Sequence, residues 1–374
     1  MPLFYIILLT VALLYATLIC AAIISWNRRI DVRAIPSAHP SHPIYLSVLI
    51  PFRNEAANLP ELLKSLEQQS MVIDGWECIF IDDHSTDHGA ELIHRIKKQN
   101  LQILLNPGRG KKSAIAAAFN IARGNYIVQT DADCTMDKDW LKSIYTRLVE
   151  SDILVLAGPV QINDPTSVLE YFQTFDFMAF MGMTHLGIQS HAWHLANGAN
   201  LIYKKEVYTT MKTSKLQAET ASGDDMFLIE AAVGMDKEKI NFLKDPKALV
   251  QTQAVPDLRS FIYQRLRWGS KMDKLKDWKI KAVFGITLFF SILLVVVTFL
   301  ALFIKGWWTI AGMLWLIKGS IDFIYLKMLA LFFNQKIPVF HFLICVLIYP
   351  VYLCLMAILS IFKRNYEWKG RESR

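Results

Sequence analysis

Cysteine is scarce in this sequence, which has five among 374 residues. They stand at Cys20, Cys78, Cys134, Cys345 and Cys354. No two of them form a C-x-x-C pair, and three lie in apolar runs. This distribution argues against a disulfide framework and against a structural zinc site. It suits a reducing compartment on the cytosolic side of a membrane.

A basic stripe with interleaved aromatic residues is also missing, although the net charge is +7 and the isoelectric point is near 9.0. We therefore expect no nucleic-acid partner. The lysines and arginines instead flank apolar segments, where they face anionic lipid. The sequence shows no internal repeat and no low-complexity linker.

Hydrophobic residues make up 53% of the chain, and they concentrate at its two ends. The run at residues 3–24 is long enough to span a bilayer as a helix. It lacks a basic segment before it, so we predict an uncleaved anchor over residues 1–26 rather than a signal peptide. Arg28, Arg29 and Arg33 follow at once. The positive-inside rule then places the next domain in the cytoplasm, which we expect to be that of a bacterium with the anchor in the inner membrane.

Three more apolar runs follow near the other end, at residues 282–304, 307–333 and 338–362. They predict a membrane region over residues 280–363 with two or three spans. Asp322 in the second run is either a functional intramembrane acid or the neutralising partner of Lys318, one helical turn before it. Three spans would put the basic tail, residues 364–374, outside, so either one run does not cross or the positive-inside rule fails here.

Between these ends, residues 45–267 alternate short apolar strands with amphipathic helices. This pattern is typical of an α/β fold with a mostly parallel sheet, which we assign to residues 44–270. The first strand is expected to end at Pro51, Asn54 to cap the next helix, and Ser85 or Thr86 to cap the one after it. The predicted strands are residues 45–50, 77–81, 101–105, 126–129 and 153–157, and the predicted helices are 56–69, 87–98 and 113–123.

Polar residues collect where the predicted strands end, and ligands of open α/β sheets bind beyond those carboxyl ends. Asp131 and Asp133 form a D-x-D after the fourth strand. In a turn, such a pair is either simply solvated or holds a hard cation, Mn²⁺ or Mg²⁺, that also takes phosphate oxygens. An acid at the end of the second strand could accept hydrogen bonds from a nucleobase or ribose, and the loop that carries Lys111 is either a solvated turn or reaches the nucleotide. The candidates for contact with a nucleotide are Pro51, Arg53, Glu55, Asp82, Asp83, Lys111 and Asp131.

Two later motifs are candidates for catalysis. Asp224 and Asp225 precede an apolar helix, and are either its N-terminal cap or a general base whose pKa a neighbouring carboxylate raises. Gln264, Arg267 and Trp268 are spaced to share one helix face. They are either interfacial anchors or an arginine for a pyrophosphate with a tryptophan floor for an acceptor.

In order along the chain, these motifs resemble those of the large family 2 of inverting glycosyltransferases, which have the GT-A fold. The resemblance covers residues 45–268 and rests on an acid after the second strand, D-x-D, an acidic dyad and Q-x-x-R-W. The family's usual dyad is Glu-Asp, and the shorter Asp224 stands in the Glu place here. The matching residues are Asp82, Asp83, Asp131, Asp133, Asp224, Asp225, Gln264, Arg267 and Trp268.

The resemblance implies a nucleotide-diphosphate sugar as donor, commonly UDP-linked, and Mn²⁺ or Mg²⁺ as cofactor. It implies that Asp133 binds the metal most directly, that Asp131 contacts the metal or the donor ribose, and that Asp225 deprotonates the acceptor hydroxyl. The turn at residues 197–200 resembles the family's small-residue turn near the acceptor.

A polysaccharide synthase that threads its product through the bilayer usually needs more helices than these. We therefore expect single additions to a lipid acceptor, with a processive synthase as the alternative. A non-catalytic transporter or scaffold is the third hypothesis, which the acidic set argues against. The segment at residues 167–188 is rich in Phe and Met, which suits either a variable apolar ligand or ordinary core packing.

Overall fold

A computed structural model describes residues 2–28, 43–71, 75–96, 99–213, 224–269, 277–362, 366–368 and 371–373. The chain forms two compact units. The sheet unit comprises Ile30–Asn163 and Gly187–Gln253, and the helical unit comprises Met1–Arg29, Asp164–Leu186 and Ala254–Arg374.

The strands follow one another as β1 Leu46–Phe52, β2 Trp76–Asp82, β3 Leu101–Leu105, β4 Tyr126–Gln129, β5 Cys134–Met136, β6 Val155–Ala157, β7 Val160–Ile162, β8 Leu201–Lys204, β9 Ile240–Phe242, β10 Val250–Thr252, β11 Tyr366–Trp368 and β12 Arg371–Ser373. The main sheet of the sheet unit has seven strands in the order β3-β2-β1-β4-β8-β6-β9. A smaller sheet has the order β5-β10-β7, and β11 pairs with β12.

In the main sheet, β3, β2, β1 and β4 run parallel to one another, while β8 runs antiparallel to both β4 and β6. The expectation of a mostly parallel sheet is confirmed. Every residue of β2, and every residue of β1 except Pro51, is buried. This burial is typical of strands with both faces covered, and explains why both strands are mostly apolar. The buried polar residues Ser47 and Glu77 satisfy each other, since Ser47 Oγ donates to Glu77 Oε1 at 2.7 Å. The helices of this unit are α2 Leu59–Glu67, α3 Gly89–His94, α4 Lys111–Ile121, α5 Trp140–Glu150, α7 Lys205–Thr213 and α8 Asp224–Asp236.

Several predicted boundaries were wrong. β1 runs through Pro51 to Phe52, because β4 pairs only with Leu46–Leu49 and leaves Pro51 with one neighbouring strand. α2 begins at Leu59 after Asn58, so Asn54 is not its cap. Instead, the side chain of Asn54 accepts a hydrogen bond from the Thr86 N–H at 2.8 Å.

The cap expected for α3 was wrong as well. The residue before α3 is His88, and its side chain makes no capping bond. Ser85 Oγ accepts from the Asn54 N–H at 3.1 Å, and Asp87 accepts from Gly89 N–H and Ala56 N–H at 3.1 and 2.7 Å. These polar side chains therefore join the loop after β1 to the loop after β2.

Gly124, just before β4, lies against the start of β1. A Cβ added there would stand 2.6 Å from the Ser47 backbone nitrogen and 2.8 Å from the Tyr126 carbonyl oxygen. We expect Gly124→Ala to lower the free energy of unfolding by about 1–3 kcal/mol, because backbone atoms must move. Gly234→Ala is the matched control, since nothing lies within 4 Å of a Cβ at Gly234 in α8. Thermal melts in detergent compare them, and equal melting temperatures would contradict the prediction.

The helical unit contains α1 Pro2–Asn27, most of α6 Val168–Gln189, α9 Leu258–Gly269, α10 Trp278–Ala301, α11 Trp307–Phe333 and α12 Val339–Phe362. Of the helices described, three are long and apolar enough to cross a membrane: α1, α10 and α12. The predicted apolar runs therefore correspond to helices. α11 carries charges in its middle, at Lys318 and Asp322, whereas those of α10, Lys279 and Lys281, lie in its first turn. Arg29, Arg33 and part of the basic tail lie outside the described residues.

The charges of α11 form an internal pair. Lys318 is 1% exposed, and its Nζ lies 2.5 Å from Asp322 Oδ2. Tyr15 of α1 donates to Asp322 Oδ1 at 2.6 Å. Lys318 and Asp322 thus neutralise each other, and the tyrosine satisfies the remaining carboxylate oxygen.

Candidate functional site

The carboxyl ends of β1, β2 and β4 lie side by side in the main sheet. Asp82 ends β2, and its Oδ1 accepts from the Ser85 N–H at 2.8 Å. Asp83 is 3% exposed. Its Oδ1 accepts from the Gly110 N–H at 2.8 Å and from Asn106 Nδ2 at 2.7 Å. One oxygen of Asp83 therefore fixes the loop before α4, a contact that sequence reasoning missed.

That loop turns sharply before α4. Gly110 has φ +86°, a left-handed conformation that favours glycine, and Lys111 is the first residue of the helix. The His84 ring donates from Nε2 to the Gly108 carbonyl at 2.8 Å. Loops from two strands thus set the position of Lys111, two residues earlier than the predicted start of the helix.

Lys111 makes an ion pair with Asp131, in which Nζ donates to Oδ1. The two side chains are 33% and 37% exposed, so a ligand can reach both. Burial lowers the pKa of Lys111, but the charges of Asp131, Asp225 and Asp133 outweigh it and leave the pKa raised. Lys111 is therefore a protonated ammonium group among several carboxylates.

The side chain of Asp133 is exposed at its surface, yet the surrounding protein removes part of the water from its carboxyl group. This desolvation, together with the charges of Asp131 and Glu55, raises the pKa of Asp133 to about 6. The nearby Lys111 therefore does not balance the negative charge of this edge. A divalent cation would add the missing positive charge, and two carboxylates leave coordination positions for phosphate oxygens. No cluster of three or more His, Cys, Asp or Glu ligands occurs among the described residues. The donor set fits a cation shared with a phosphorylated ligand better than a cation enclosed by protein.

Asp225 lies in the first turn of α8, and its carboxylate faces a tight turn. A Cβ added at Gly198 would come within 3.7 Å of Asp225 Oδ2 and 3.1 Å of Gln129 Nε2. Gln129, the last residue of β4, donates to the Gly198 carbonyl at 3.3 Å. The predicted small-residue turn therefore packs between the end of β4 and Asp225. Asp224 begins α8, while Gly223 lies outside the described residues.

The remaining nucleotide-binding candidates follow β1. Pro51 lies inside the strand, and Arg53 and Glu55 are half-buried in the loop beyond it. Glu55 accepts from Asn58 Nδ2 at 2.6 Å, and its charge contributes to the raised pKa of Asp133. Glu55 therefore belongs to the same acidic edge as the D-x-D.

Gln264, Arg267 and Trp268 lie on α9, in the helical unit, and all three are half-buried. Arg265 between them was not singled out from the sequence. It lies with its Cζ 4.5 Å from the centre of the Trp268 ring and pairs with Asp176 of α6 at 2.9 Å. The pairing with Asp176 has no local signal in the sequence, because Asp176 comes from a separate helix.

Residues 47–210 match the model of glycosyl transferase family 2. These residues are a family 2 glycosyltransferase domain. The family resemblance seen in the sequence is thereby confirmed.

One similar solved structure is a mannosyltransferase from Pyrobaculum calidifontis in complex with GDP-Man and Mn²⁺. It is 16% identical, the alignment covers 87% of this chain and 99% of that one, and the TM-score is 0.51. At this identity the likeness shows the fold alone. The sheet unit has the GT-A fold, as the sequence predicted.

Curated relatives are similar over shorter segments. An undecaprenyl-phosphate 4-deoxy-4-formamido-L-arabinose transferase from Pseudomonas aeruginosa is 37% identical over 98 residues, 25% of this chain and 29% of the relative. A dolichyl-phosphate β-glucosyltransferase from Dictyostelium discoideum is 33% identical over 138 residues, 33% of this chain and 42% of the relative. The chain thus spans less than half the length of either.

Proposed function

We propose that this chain is an inverting glycosyltransferase that moves a sugar from a nucleotide-diphosphate sugar to a membrane-lipid acceptor. The donor that we propose is a UDP-linked sugar. The observation that carries the proposal is the acidic edge of a family 2 domain, where Asp131 pairs with the ammonium group of Lys111 and the charges of Asp133 and Asp225 also stabilise it. Such an edge suits a ligand that brings phosphate and a divalent cation together.

On the donor side, Asp133 and Asp131 would hold Mn²⁺ or Mg²⁺. When bound, the metal neutralises the diphosphate leaving group as a Lewis acid. Lys111, at the N-terminus of α4, is placed to pair with a phosphate oxygen, where the helix dipole also favours negative charge. Asp83 contributes by fixing the loop that carries Lys111. Pro51, Arg53, Glu55 and Asp82 complete the proposed nucleotide contacts.

On the acceptor side, Asp225 takes the proton of the attacking acceptor oxygen. Its carboxylate faces the turn at Gly198, where the absence of a side chain leaves space next to Asp225. Asp224 precedes it in the acidic dyad. Gln264, Arg267 and Trp268 of α9 bind the acceptor or the pyrophosphate, with the indole of Trp268 as the floor of the acceptor site.

A lipid acceptor is supported by two observations. The relatives' names specify undecaprenyl phosphate and dolichyl phosphate as acceptors. In the part of this chain that the structure describes, three helices are long and apolar enough to cross a membrane. We propose residues 44–270 as the catalytic domain, facing the cytoplasm, between an anchor at 1–26 and a membrane region at 280–363 with a basic tail.

The proposal is tested by a donor screen on the purified full chain with Mn²⁺. The acceptors are total membrane lipid, a hydroxyl lipid and a polyprenyl phosphate, and products are identified by mass. We expect one or two added sugars, and transfer that chelation with EDTA abolishes. A long polymer would favour a processive synthase. Absence of metal-dependent transfer or donor hydrolysis with every nucleotide sugar would favour a non-catalytic role.

A further inference from the structure

Arg265 holds its guanidinium group between two aromatic rings of α9. Its Cζ lies 4.5 Å from the centre of the Trp268 ring and 5.0 Å from that of Phe261. These residues are three and four positions away, the spacing at which helix side chains meet. A guanidinium group over an indole face is attracted by the ring quadrupole. Arg265 therefore contacts Trp268 within a single helix.

Asp176 of α6 anchors that guanidinium group. Arg265 Nη1 lies 2.9 Å from Asp176 Oδ2, and the two side chains are only 10% and 16% exposed. Tyr349 of α12 donates its hydroxyl to the other oxygen, Asp176 Oδ1, at 3.3 Å. Both carboxylate oxygens are thus engaged, one from α9 and one from α12, so the position of Asp176 is set by two helices.

α6 also contacts the indole directly. The ring of Phe177, the residue after Asp176, lies 6.1 Å from the ring of Trp268, centre to centre. Two successive residues of α6 therefore act on Trp268, one through ring contact and one through Arg265. Trp268 itself remains half-buried, so part of its surface is available to a ligand.

The ion pair between Arg265 and Asp176 is not required to hold α9 in place. Phe261 and Leu266 of α9 are each 1% exposed, and Phe261 packs against Phe172 with ring centres 5.9 Å apart. This apolar burial already stabilises the helix. A buried ion pair adds little net stability because both charges lose water, but it fixes the orientation of the groups that it joins.

We propose that Arg265 and Asp176 are positioning residues that hold the indole of Trp268 in the orientation required by the lipid acceptor. The proposal rests on the proposed function, because it takes Trp268 as the acceptor floor. Neither residue needs to touch the substrate. Their effect passes through the indole of Trp268, so replacing the indole must remove most of their influence on the reaction.

A double-mutant cycle tests this dependence. We expect Arg265→Gln and Asp176→Asn each to lower kcat/KM for the lipid acceptor about tenfold, since small misplacements of positioning groups are costly. The KM for the nucleotide-sugar donor should stay within about twofold. In a Trp268→Phe background, adding Arg265→Gln should lower kcat/KM for the lipid acceptor by less than about a further twofold, because the effects of coupled residues are not additive.

The control variant is Tyr325→Phe. It removes another buried contact of α6, the 3.0 Å hydrogen bond from the Tyr325 hydroxyl to the Ala179 carbonyl, without touching Arg265. We expect acceptor kinetics close to those of the wild type. Equal losses in Tyr325→Phe and Arg265→Gln, or additive losses in the Trp268→Phe background, would overturn the positioning role and leave a general structural one.

A readout without catalysis separates this proposal from the proposed function. The chain has ten tryptophans, so the emission of Trp268 is obtained as the difference between parent and Trp268→Phe variant. We expect Arg265→Gln to make that component more accessible to acrylamide quenching. If the wild type transfers no sugar, the proposed function fails, while unchanged quenching of the Trp268 component refutes the positioning role on its own.

Discussion

Replacing Asp225 with asparagine is expected to lower kcat for transfer to a hydroxyl lipid at least about 10²-fold, the usual contribution of a general base. Asparagine has nearly the same shape and keeps an oxygen for the Met226 N–H, which donates to Asp225 Oδ1 at 2.9 Å. It does not accept a proton from the acceptor. The affinity for nucleotide and Mn²⁺ should therefore stay within about twofold. Single-turnover kinetics and equilibrium binding measure the two effects separately.

The size of this loss also identifies the acceptor chemistry. A phosphate monoester has a second pKa near 6 and presents an anionic oxygen at pH 8 without help from a base. On a polyprenyl phosphate, the acceptor type named for the relatives, Asp225→Asn should therefore cost much less at pH 8 than on a hydroxyl lipid. A loss below about tenfold on every acceptor that the enzyme uses would contradict the role of Asp225 as base.

Asp236→Asn is the matched control for this experiment. Asp236 ends the same helix, α8, and the change removes the same charge. Its side chain caps the following 3₁₀ turn by accepting from the Glu238 N–H at 3.0 Å, a bond that an asparagine oxygen can also make. We expect its transfer rate to match that of the wild type.

The sequence predicted the strands most accurately where an apolar run stands between clear turn residues. β3 and β4 match the predicted residues 101–105 and 126–129 at both ends. The starts of α2 and α3 were wrong for one physical reason. Asn54 and Ser85 are residue types that commonly cap helices, but here the loops after β1 and β2 hydrogen-bond to each other through them. One sequence alone does not show that these two loops are neighbours.

In the candidate site, too, residues with a local sequence signal were predicted, and contacts between distant segments were not. Asp131 and Asp133 were recognisable because they directly follow a strand, whose end fixes their place in the sheet. The ion pair of Lys111 with Asp131 joins a helix start to a strand end, and the approach of Asp225 to Gly198 joins the first turn of α8 to a turn that is distant in the sequence. Arg265 with Asp176 is likewise a pairing between separate helices. Such contacts depend on tertiary packing and have no periodic signal.

Replacing Asp133 with asparagine is expected to abolish metal-dependent donor binding together with transfer. The change removes a negative charge from a proposed pair of metal-binding carboxylates, Asp131 and Asp133. Affinity for Mn²⁺ with nucleotide should fall at least about tenfold, or ~1.4 kcal/mol. Titration calorimetry with Mn²⁺ and UDP measures it. This distinguishes Asp133 from Asp225, whose replacement should leave that affinity unchanged.

Asp137→Asn provides the control, since Asp137 is exposed four residues further along the chain. Its carboxylate accepts from the Asp139 N–H at 2.9 Å, which an asparagine oxygen can replace. Its Mn²⁺ affinity and transfer rate should equal those of the wild type. A metal affinity in Asp133→Asn equal to that of this control would refute the assignment of Asp133 as a metal ligand.

Stability should move in the opposite direction from activity. The pKa of Asp133 is raised from 3.8 to about 6 in the folded protein, so its favourable contribution to folding is complete below pH 4 and is lost as the pH rises through 6. Asparagine does not ionise and avoids that loss. With EDTA present, Asp133→Asn should therefore melt above the wild type at pH 7.5, and the difference should shrink towards pH 4. Added Mn²⁺ should raise the melting temperature of the wild type alone, because a ligand stabilises only the state that binds it. A variant that is more stable and yet inactive would show that Asp133 is maintained for binding the cation, at the expense of stability in the metal-free fold.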